Sequence, residues 1–380
     1  MTDTQPDIPA DNRVRRLLVY RLGSLGDIVV ALPSLRLVAR AFPSAERRLL
    51  TNLPVSEKVT PASAVLEGTS LIHGYLAYPS STRRLSDLLR IWWQIVRWRP
   101  QVLVYMAGAR GLSSARRDRL FFRLCGIRRQ IGVPLTQSMQ EHLPGPTSIG
   151  PEAAIVEREA FRIARNLAEL GDARLEVPAS WDLCLTPAEF AAADRSIADE
   201  LHPSLSLPAA LPILAVSTGT KLQSKDWGID NWRALLSCIA TRWPGHTLLM
   251  IGAAQERDAS ALAAEGWQSS GGGPVANLCG CLTPRQSAAA IARASLFLGH
   301  DSGPMHLAAS VGVPIVAVFS ARDLPGRWWP YGERHRLLYH PVSCRGCILD
   351  TCIVEQKRCL TSITVEEVLQ AVASLWPPAI

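Results

Sequence analysis

His300-Asp301-Ser302-Gly303-Pro304-Met305-His306-Leu307-Ala308-Ala309-Ser310, then Gly312-Val313-Pro314 and Ile315-Val316-Ala317-Val318-Phe319, is the stretch whose reading decides the fold. An apolar strand over 294–298 runs into a turn of small residues, and a helix begins at Met305. Gly312-Val313-Pro314 ends the helix and a second apolar strand follows, so the stretch reads as strand–helix–strand in a parallel sheet. The turn presents backbone N–H groups at a helix N-terminus, where anions bind. Asp301 cannot serve there as a counter-charge to a phosphate, because like charges repel. Its carboxylate suits loop amides, or the hydroxyls of a neutral part of a ligand. The simpler alternative is that Asp301 or Ser302 caps the helix and His306 fills a polar niche beneath it.

Outward from this unit, strands alternate with helices. In the first half strands read over 16–20, 49–53, 71–75 and 102–106, with helices over 28–41, 86–98 and 113–125 and one long helix over 154–170. Pro178, Pro187, Pro203, Pro208 and Pro212 then punctuate the chain, and 201–212 is the best linker. The alternation restarts with strands over 213–216 and 247–251 and helices over 232–242 and 256–265, and a helix over 365–375 closes the chain. The expected plan is a disordered lead over 1–13, an α/β domain over 14–200, the linker over 201–212, a second α/β domain over 213–364, and a terminal helix and tail over 365–380.

A chain of 380 residues accommodates two such domains. Apolar runs are interrupted by Arg21, Asp27 or Pro33 before they reach the roughly 18 residues of a membrane span. The polar, acidic start has no apolar stretch before Val14, so it reads as a lead-in and not a signal peptide, and a cytoplasmic location is expected. A net charge of +7 suggests an anionic partner. Between Arg83 and Arg129 there are twelve arginines against two aspartates. Within that run, residues 90–99 mix Trp with Arg on an amphipathic helix, a composition suited to a lipid headgroup boundary. The alternative is a surface helix with its apolar face on the sheet and its arginines in solvent.

Open parallel sheets bind ligands at the carboxyl ends of their strands. Gly23-Ser24-Leu25-Gly26-Asp27 follows the first strand; it has G-x-x-G but lacks the third glycine of a dinucleotide fingerprint. Asp27 is either a dipole-stabilising residue at a helix start or a general base for a hydroxyl. In the second half, 217–227 gathers hydroxyls, a glycine and two lysines, which suits a diphosphate, with Lys225 as a point charge. Glu256, after the next strand, could accept hydrogen bonds from ribose hydroxyls or stay solvated.

Together, Arg21-Leu22-Gly23-Ser24-Leu25-Gly26-Asp27-Ile28, Ser224-Lys225-Asp226-Trp227 and Asp301-Ser302-Gly303-Pro304-Met305-His306-Leu307-Ala308-Ala309 resemble the lipopolysaccharide heptosyltransferases, glycosyltransferase family 9, over about 14–368. The resemblance implies the GT-B fold, two Rossmann-like parallel-sheet domains facing across a cleft whose closure assembles the site. It implies inverting, metal-independent transfer of heptose from ADP-heptose to a lipid A-linked core acceptor, peripherally at the cytoplasmic face of a bacterial inner membrane. It assigns Asp27 as catalytic base, and Thr220, Lys225, Glu256, Leu282, Asp301, Ser302, Gly303 and His306 to the donor. Gly23, Ser24, Gly26 and Arg110 fall to the acceptor. No cofactor is required and no nucleic acid is expected. Another nucleotide sugar or acceptor, a GT-B nucleotide-sugar epimerase, and a nucleic-acid-binding protein are the competing readings.

Nine cysteines include Cys344, Cys347, Cys352 and Cys359, four within sixteen residues. In a cytosolic chain this clustering suggests a structural zinc site more than disulfides, although the Cys-x2-Cys pair has no matching second pair. The alternative is a metal-free brace that returns the chain to the first domain.

Overall fold

Leu17, Leu18 and Val19 are fully buried, so the first strand is covered on both faces, as a central parallel strand must be. The computed structural model describes residues 10–53, 60–79, 84–148, 154–201 and 212–376. The strands are β1 (Arg16–Tyr20), β2 (Glu46–Leu53), β3 (Gly74–Pro79), β4 (Val102–Tyr105), β5 (Arg129–Ile131), β6 (Pro144–Ser148), β7 (Ala154–Val156), β8 (Ile213–Ser217), β9 (Thr247–Met250), β10 (Val275–Asn277), β11 (Leu296–His300), β12 (Ile315–Phe319) and β13 (His335–Tyr339). One sheet has the order β3-β2-β1-β4-β5 and another β10-β9-β8-β11-β12-β13, while β6 and β7 form a separate pair. Every described pairing in the two large sheets is parallel. The chain divides into one unit of Met1–Gly145 with Val156–Cys184 and a second of Pro146–Ile155 with Leu185–Ile380.

The division falls before the 201–212 linker, most of which lies outside the described residues. Pro187–Glu200, expected in the first domain, is a helix of the second unit. It starts on a Thr186/Glu189 capping box and is tied down by the ion pairs Glu189–Arg285 and Asp194–Arg293, the latter at 2.7 Å. Of the 1–13 lead, residues 1–9 lie outside the described residues, and Asp11 is bound to Arg129 at 2.7 Å. The terminal helix Val365–Leu375 belongs to the second unit, where the Trp376 ring stacks on Trp243 with centroids 5.6 Å apart.

Two expected helices are broken. The 28–41 pattern is Leu25–Val29 and Leu32–Ala41, restarting where Pro33 occupies the first turn, the position that needs no N–H partner. The 154–170 pattern is β7, then the helix Glu159–Asn166 and a turn at Ala168–Leu170, because Ile155 and Val156 take the extended geometry β-branched residues favour.

A buried ionic network holds the first unit at the carboxyl end of β1. Arg21, 2% exposed, donates to the Met106 carbonyl at 2.7 Å, the Asp27 carbonyl at 2.9 Å and Glu159 at 3.3 Å. Glu159, 1% exposed, also accepts from Arg162 at 2.7 Å and pairs with His142 at 2.9 Å. Burial alone would raise its carboxyl; the hydrogen bonds from Arg162 and His142 and the two guanidinium charges outweigh that and hold it well below the usual range. Removing the carboxylate leaves two buried arginines uncompensated, so Glu159→Ala is expected to cost about 3–5 kcal/mol in urea unfolding at neutral pH. Because the folded-state carboxyl is depressed, its contribution is complete above the unfolded value and falls away as acid protonates it. The gap between wild type and Glu159→Gln should therefore narrow steadily below about pH 4.

Candidate active site

In the second sheet the chain runs from β8 outward to β9 and β10, then returns to β11 on the other flank of β8. Loops leaving β8 and β11 thus diverge at a switch point, the place where such sheets open a ligand crevice. The two motif loops expected to hold a donor leave those two strands, and they meet. Lys225 Nζ donates to Asp301 Oδ2 at 2.5 Å and lies 3.9 Å from Asp323 Oδ2, on the loop after β12. Lys225 is 14% exposed and Asp301 9%. Burial raises the Asp301 carboxyl above its usual value against the opposing pull of Lys225, and the neighbouring Asp323 carboxylate adds to the rise. Asp323 is itself held by Arg322 at 2.9 Å and Arg327 at 3.2 Å.

Ser302 precedes the helix Gly303–Ser310, which starts two residues before the expected Met305. Its side chain makes no cap, and Ser302 Oγ is buried without a hydrogen-bond partner among the described residues. The first-turn N–H groups, of which Pro304 supplies none, have no partner within the helix, and the Ser302 hydroxyl has none among the described residues. His306, in the second turn, is buried and faces the edge of Trp328 at 6.4 Å.

Glu256 follows β9, in the turn Ala254–Glu256, and accepts from the Ala253 N–H at 2.8 Å. Its carboxylate lies against two glycines: a Cβ at Gly219 would come within 2.0 Å of Glu256 Cδ, and one at Gly252 within 2.6 Å of Oε2. Glu256 thus stands next to the loop that carries Thr220, whose Oγ1 accepts from Leu222 N at 3.4 Å. Leu282, half-buried, lies on the loop after β10. All eight expected donor residues occupy the carboxyl side of one sheet, and the structure joins Lys225 to Asp301 directly.

In the first unit the switch point lies between β1 and β4. The Gly23–Asp27 turn leaves β1 and Arg110 follows β4. Gly23 sits at φ +128°, where a Cβ would collide with Asp27 Cγ at 2.2 Å, so only glycine lets the carboxylate fold back over the turn. Asp27 Oδ2 accepts from Ser24 N at 2.9 Å, Oδ1 lies 3.7 Å from Arg21, and the side chain remains 30% exposed. It is anchored from behind and open in front. Gly26 lies within the short helix Leu25–Val29. Arg110 is already engaged: it donates to Asp118 at 2.5 Å, Tyr20 at 3.1 Å and Tyr105 at 3.2 Å. Burial pushes the Tyr105 phenol up to about 12, so it stays protonated.

Reading by motif missed the groups that hold the lysine loop. His300, given no role by the sequence reading and placed beyond the 294–298 strand, is the last residue of β11, and its fully buried ring accepts from the Trp227 N–H at 3.0 Å. Burial pushes its pKa down to about 4, so it is a neutral acceptor. The Cys344–Cys359 segment is laced to the same loop: Ser224 Oγ donates to Leu349 O at 2.7 Å, Cys352 N to Gln223 Oε1 at 2.9 Å, and Lys357 Nζ to Asp226 O at 2.9 Å. The expected zinc site does not match the arrangement found. Among the described residues no three His, Cys, Asp or Glu side chains are placed to share an ion. Cys352 Sγ instead accepts the Lys357 N–H at 3.2 Å, and that bond, with others from Glu355 and Val354, holds its pKa below the usual thiol value.

Two parallel-sheet units, each with candidate residues on the loops at its switch point, give the two-domain architecture of the GT-B class. The family model for glycosyltransferase family 9 (heptosyltransferase) matches residues 153–358, more than half of the chain. The chain belongs to glycosyltransferase family 9. It is 31% identical over 101 residues to lipooligosaccharide heptosyltransferase 2 of Campylobacter jejuni serotype O:2, spanning 27% of this chain and 32% of that protein. The chain thus matches about a third of that relative's length. It is 26% identical over 356 residues to lipopolysaccharide heptosyltransferase 1 of Pseudomonas aeruginosa, covering 89% of this chain and 87% of that protein. The fold matches the solved structure of E. coli ADP-heptose lps heptosyltransferase II with a TM-score of 0.59 at 16% identity, over 95% of this chain and 98% of that one.

The Lys225–Asp301 pair gives a direct test of the site's electrostatics. Lys225→Met leaves a buried carboxylate without its nearest cation and is expected to cost about 3 kcal/mol in urea unfolding. The double substitution Lys225→Met with Asp301→Asn should recover most of that loss, because both charges leave together.

Proposed function

We propose that the protein transfers heptose from ADP-heptose to a lipopolysaccharide core acceptor linked to lipid A, with inversion and without a catalytic metal. The observation that carries this reading is the Lys225 ammonium buried at the Asp301 turn, beside a helix N-terminus with an unpartnered Ser302 hydroxyl. Such a cluster stabilises the negative charge that grows on a departing diphosphate. Gly303 opens the helix and lets the phosphates approach its backbone, and His306 supports that turn from within. Glu256, against the Thr220 loop, takes the ribose hydroxyls, and the Leu282 backbone lies by the adenine.

On the acceptor side the reading gives Asp27 the role of general base, with Gly23, Ser24 and Gly26 shaping the turn and Arg110 on the neighbouring strand end. The carboxylate takes the proton of an acceptor hydroxyl as that oxygen attacks the anomeric carbon from the face opposite the diphosphate. The anomeric C–O bond breaks and ADP leaves with the electron pair. One base and one stabilised leaving group suffice, and a single displacement inverts the centre. Among the described residues no helix is long and apolar enough to cross a membrane. The reading places the protein in the cytoplasm, working peripherally on the inner face of the inner membrane, where its lipid-linked acceptor lies.

Asp27→Asn should retain ADP affinity while transfer falls by about a hundredfold to ten-thousandfold, measured as ADP release dependent on acceptor. Transfer near the wild-type rate would remove the base assignment. Lys225→Ala should weaken ADP binding by at least about tenfold in calorimetry, the loss of one charge-assisted hydrogen bond. Mass spectrometry of core oligosaccharide from cells lacking the protein should show truncation by one heptose; an unchanged core would overturn the acceptor.

A further inference from the structure

The helix Leu85–Trp98 packs on the first sheet through Ile91, Ile95 and Trp98, and a second stripe on the same helix is left bare. Leu85 is 75% exposed, Leu89 62% and Trp93 54%. The helix Leu112–Leu124 lies alongside: Ile91, Ile95, Ala115 and Phe122 share one core, and Trp92 Nε1 donates to the Leu124 carbonyl at 3.2 Å. Its own Leu120 and Leu124 are 58% and 66% exposed. The uncovered leucines and Trp93 therefore belong to one two-helix face of the first unit.

Arginines surround this face. Arg90, Arg116, Arg119 and Arg123 are exposed on the two helices, and the Arg97 guanidinium lies 5.2 Å from the Trp93 ring. The acids of these two helices are Asp87 and Asp118, and Asp118 is already paired with Arg110 and Arg117. Arg119 and Arg123 also line a cavity of about 340 Å³ together with Arg128 and Arg165.

We propose that this face docks on an anionic lipid bilayer. Exposed leucines go below the headgroups, Trp93 sits at the interface, and the arginines reach phosphates on either side. Charge decides among occupants: a second copy of this chain would set arginines against arginines, and a nucleic acid would leave the leucine stripe in water. The inference deepens the membrane-surface part of the reading above and requires neither the heptose donor nor Asp27.

The test is co-sedimentation of the full chain with vesicles. Binding is expected to phosphatidylcholine vesicles containing phosphatidylglycerol and to be much weaker with phosphatidylcholine alone, and it should fall as salt rises. Leu89→Asp with Trp93→Asp should lower partitioning at least about tenfold. Arg119→Glu with Arg123→Glu should lower it by about fivefold or more for each arginine removed. Both should keep the wild-type thermal midpoint and ADP affinity; if the first pair misfolds, Leu85→Ser with Leu120→Ser removes apolar surface with less perturbation. Undiminished binding by folded variants, equal binding to neutral vesicles, or a vesicle-free oligomer that the substitutions dissolve would each overturn the proposal. Wild-type protein that binds ADP but not the anionic vesicles overturns this surface alone, whereas wild-type protein that binds the vesicles but not ADP overturns the donor reading alone.

Discussion

A carboxylate taken out of water must be matched by cations, and this constraint shapes both units. Beneath the Asp27 turn, Glu159 is buried between Arg21, Arg162 and His142. Arg21 spends its other donors on the carbonyls of Asp27 and Met106, so the same guanidinium that neutralises Glu159 also fixes the ends of β1 and β4 relative to each other. The turn's position thus follows from an ion pair buried behind it. In the second unit Asp301 plays the comparable part, with Lys225 as its cation and Asp323, Arg322 and Arg327 completing the charge pattern.

The Lys225 loop is held to this pattern from outside as well. His300 fixes Trp227 through a neutral ring nitrogen, and Trp227 in turn donates to the Ile363 carbonyl at 3.0 Å. The cysteine-containing segment adds bonds to Ser224, Gln223 and Asp226, and Arg322 donates to Leu349 O at 2.8 Å. A loop rich in hydroxyls and lysines would otherwise sample many conformations, each costing entropy to order when a ligand binds. Holding it beforehand removes part of that cost. The segment reaches the lysine loop through its backbone and the Lys357 side chain, while Cys352 Sγ accepts the Lys357 N–H within the segment itself.

The fold was legible because apolar strands that alternate with helices have few parallel arrangements. β1 and β12 match the sequence reading residue for residue, as does the terminal helix Val365–Leu375. Short strands at sheet edges were not legible: β5 and β10 carry too few apolar residues to stand out from loops, and they form because a neighbour supplies the hydrogen bonds. Candidate site residues were legible where a loop carries its own chemistry, and two of them, Lys225 and Asp301, meet in the structure. Strand order was not, so the sequence could not show that the β8 and β11 loops flank one switch point. Nor could it show that Arg110, a lone arginine in an unpatterned loop, closes on Asp118 and two tyrosines.

On the proposed reading, the charge pattern around Lys225 also bears on how a diphosphate would be held and released. Lys225, Arg322 and Arg327 face Asp301, Asp323 and, through Arg322, Asp350, so each cation already has a carboxylate partner. An incoming diphosphate competes with Asp301 for the ammonium, so part of the attraction replaces an existing ion pair and does not add to it. Binding is then tempered, and the departing nucleotide meets a lysine with a resident partner ready to reclaim it. Unpaired lysines would attract a diphosphate more strongly, so on that reading the two buried aspartates beside Lys225 set how firmly the anion is held.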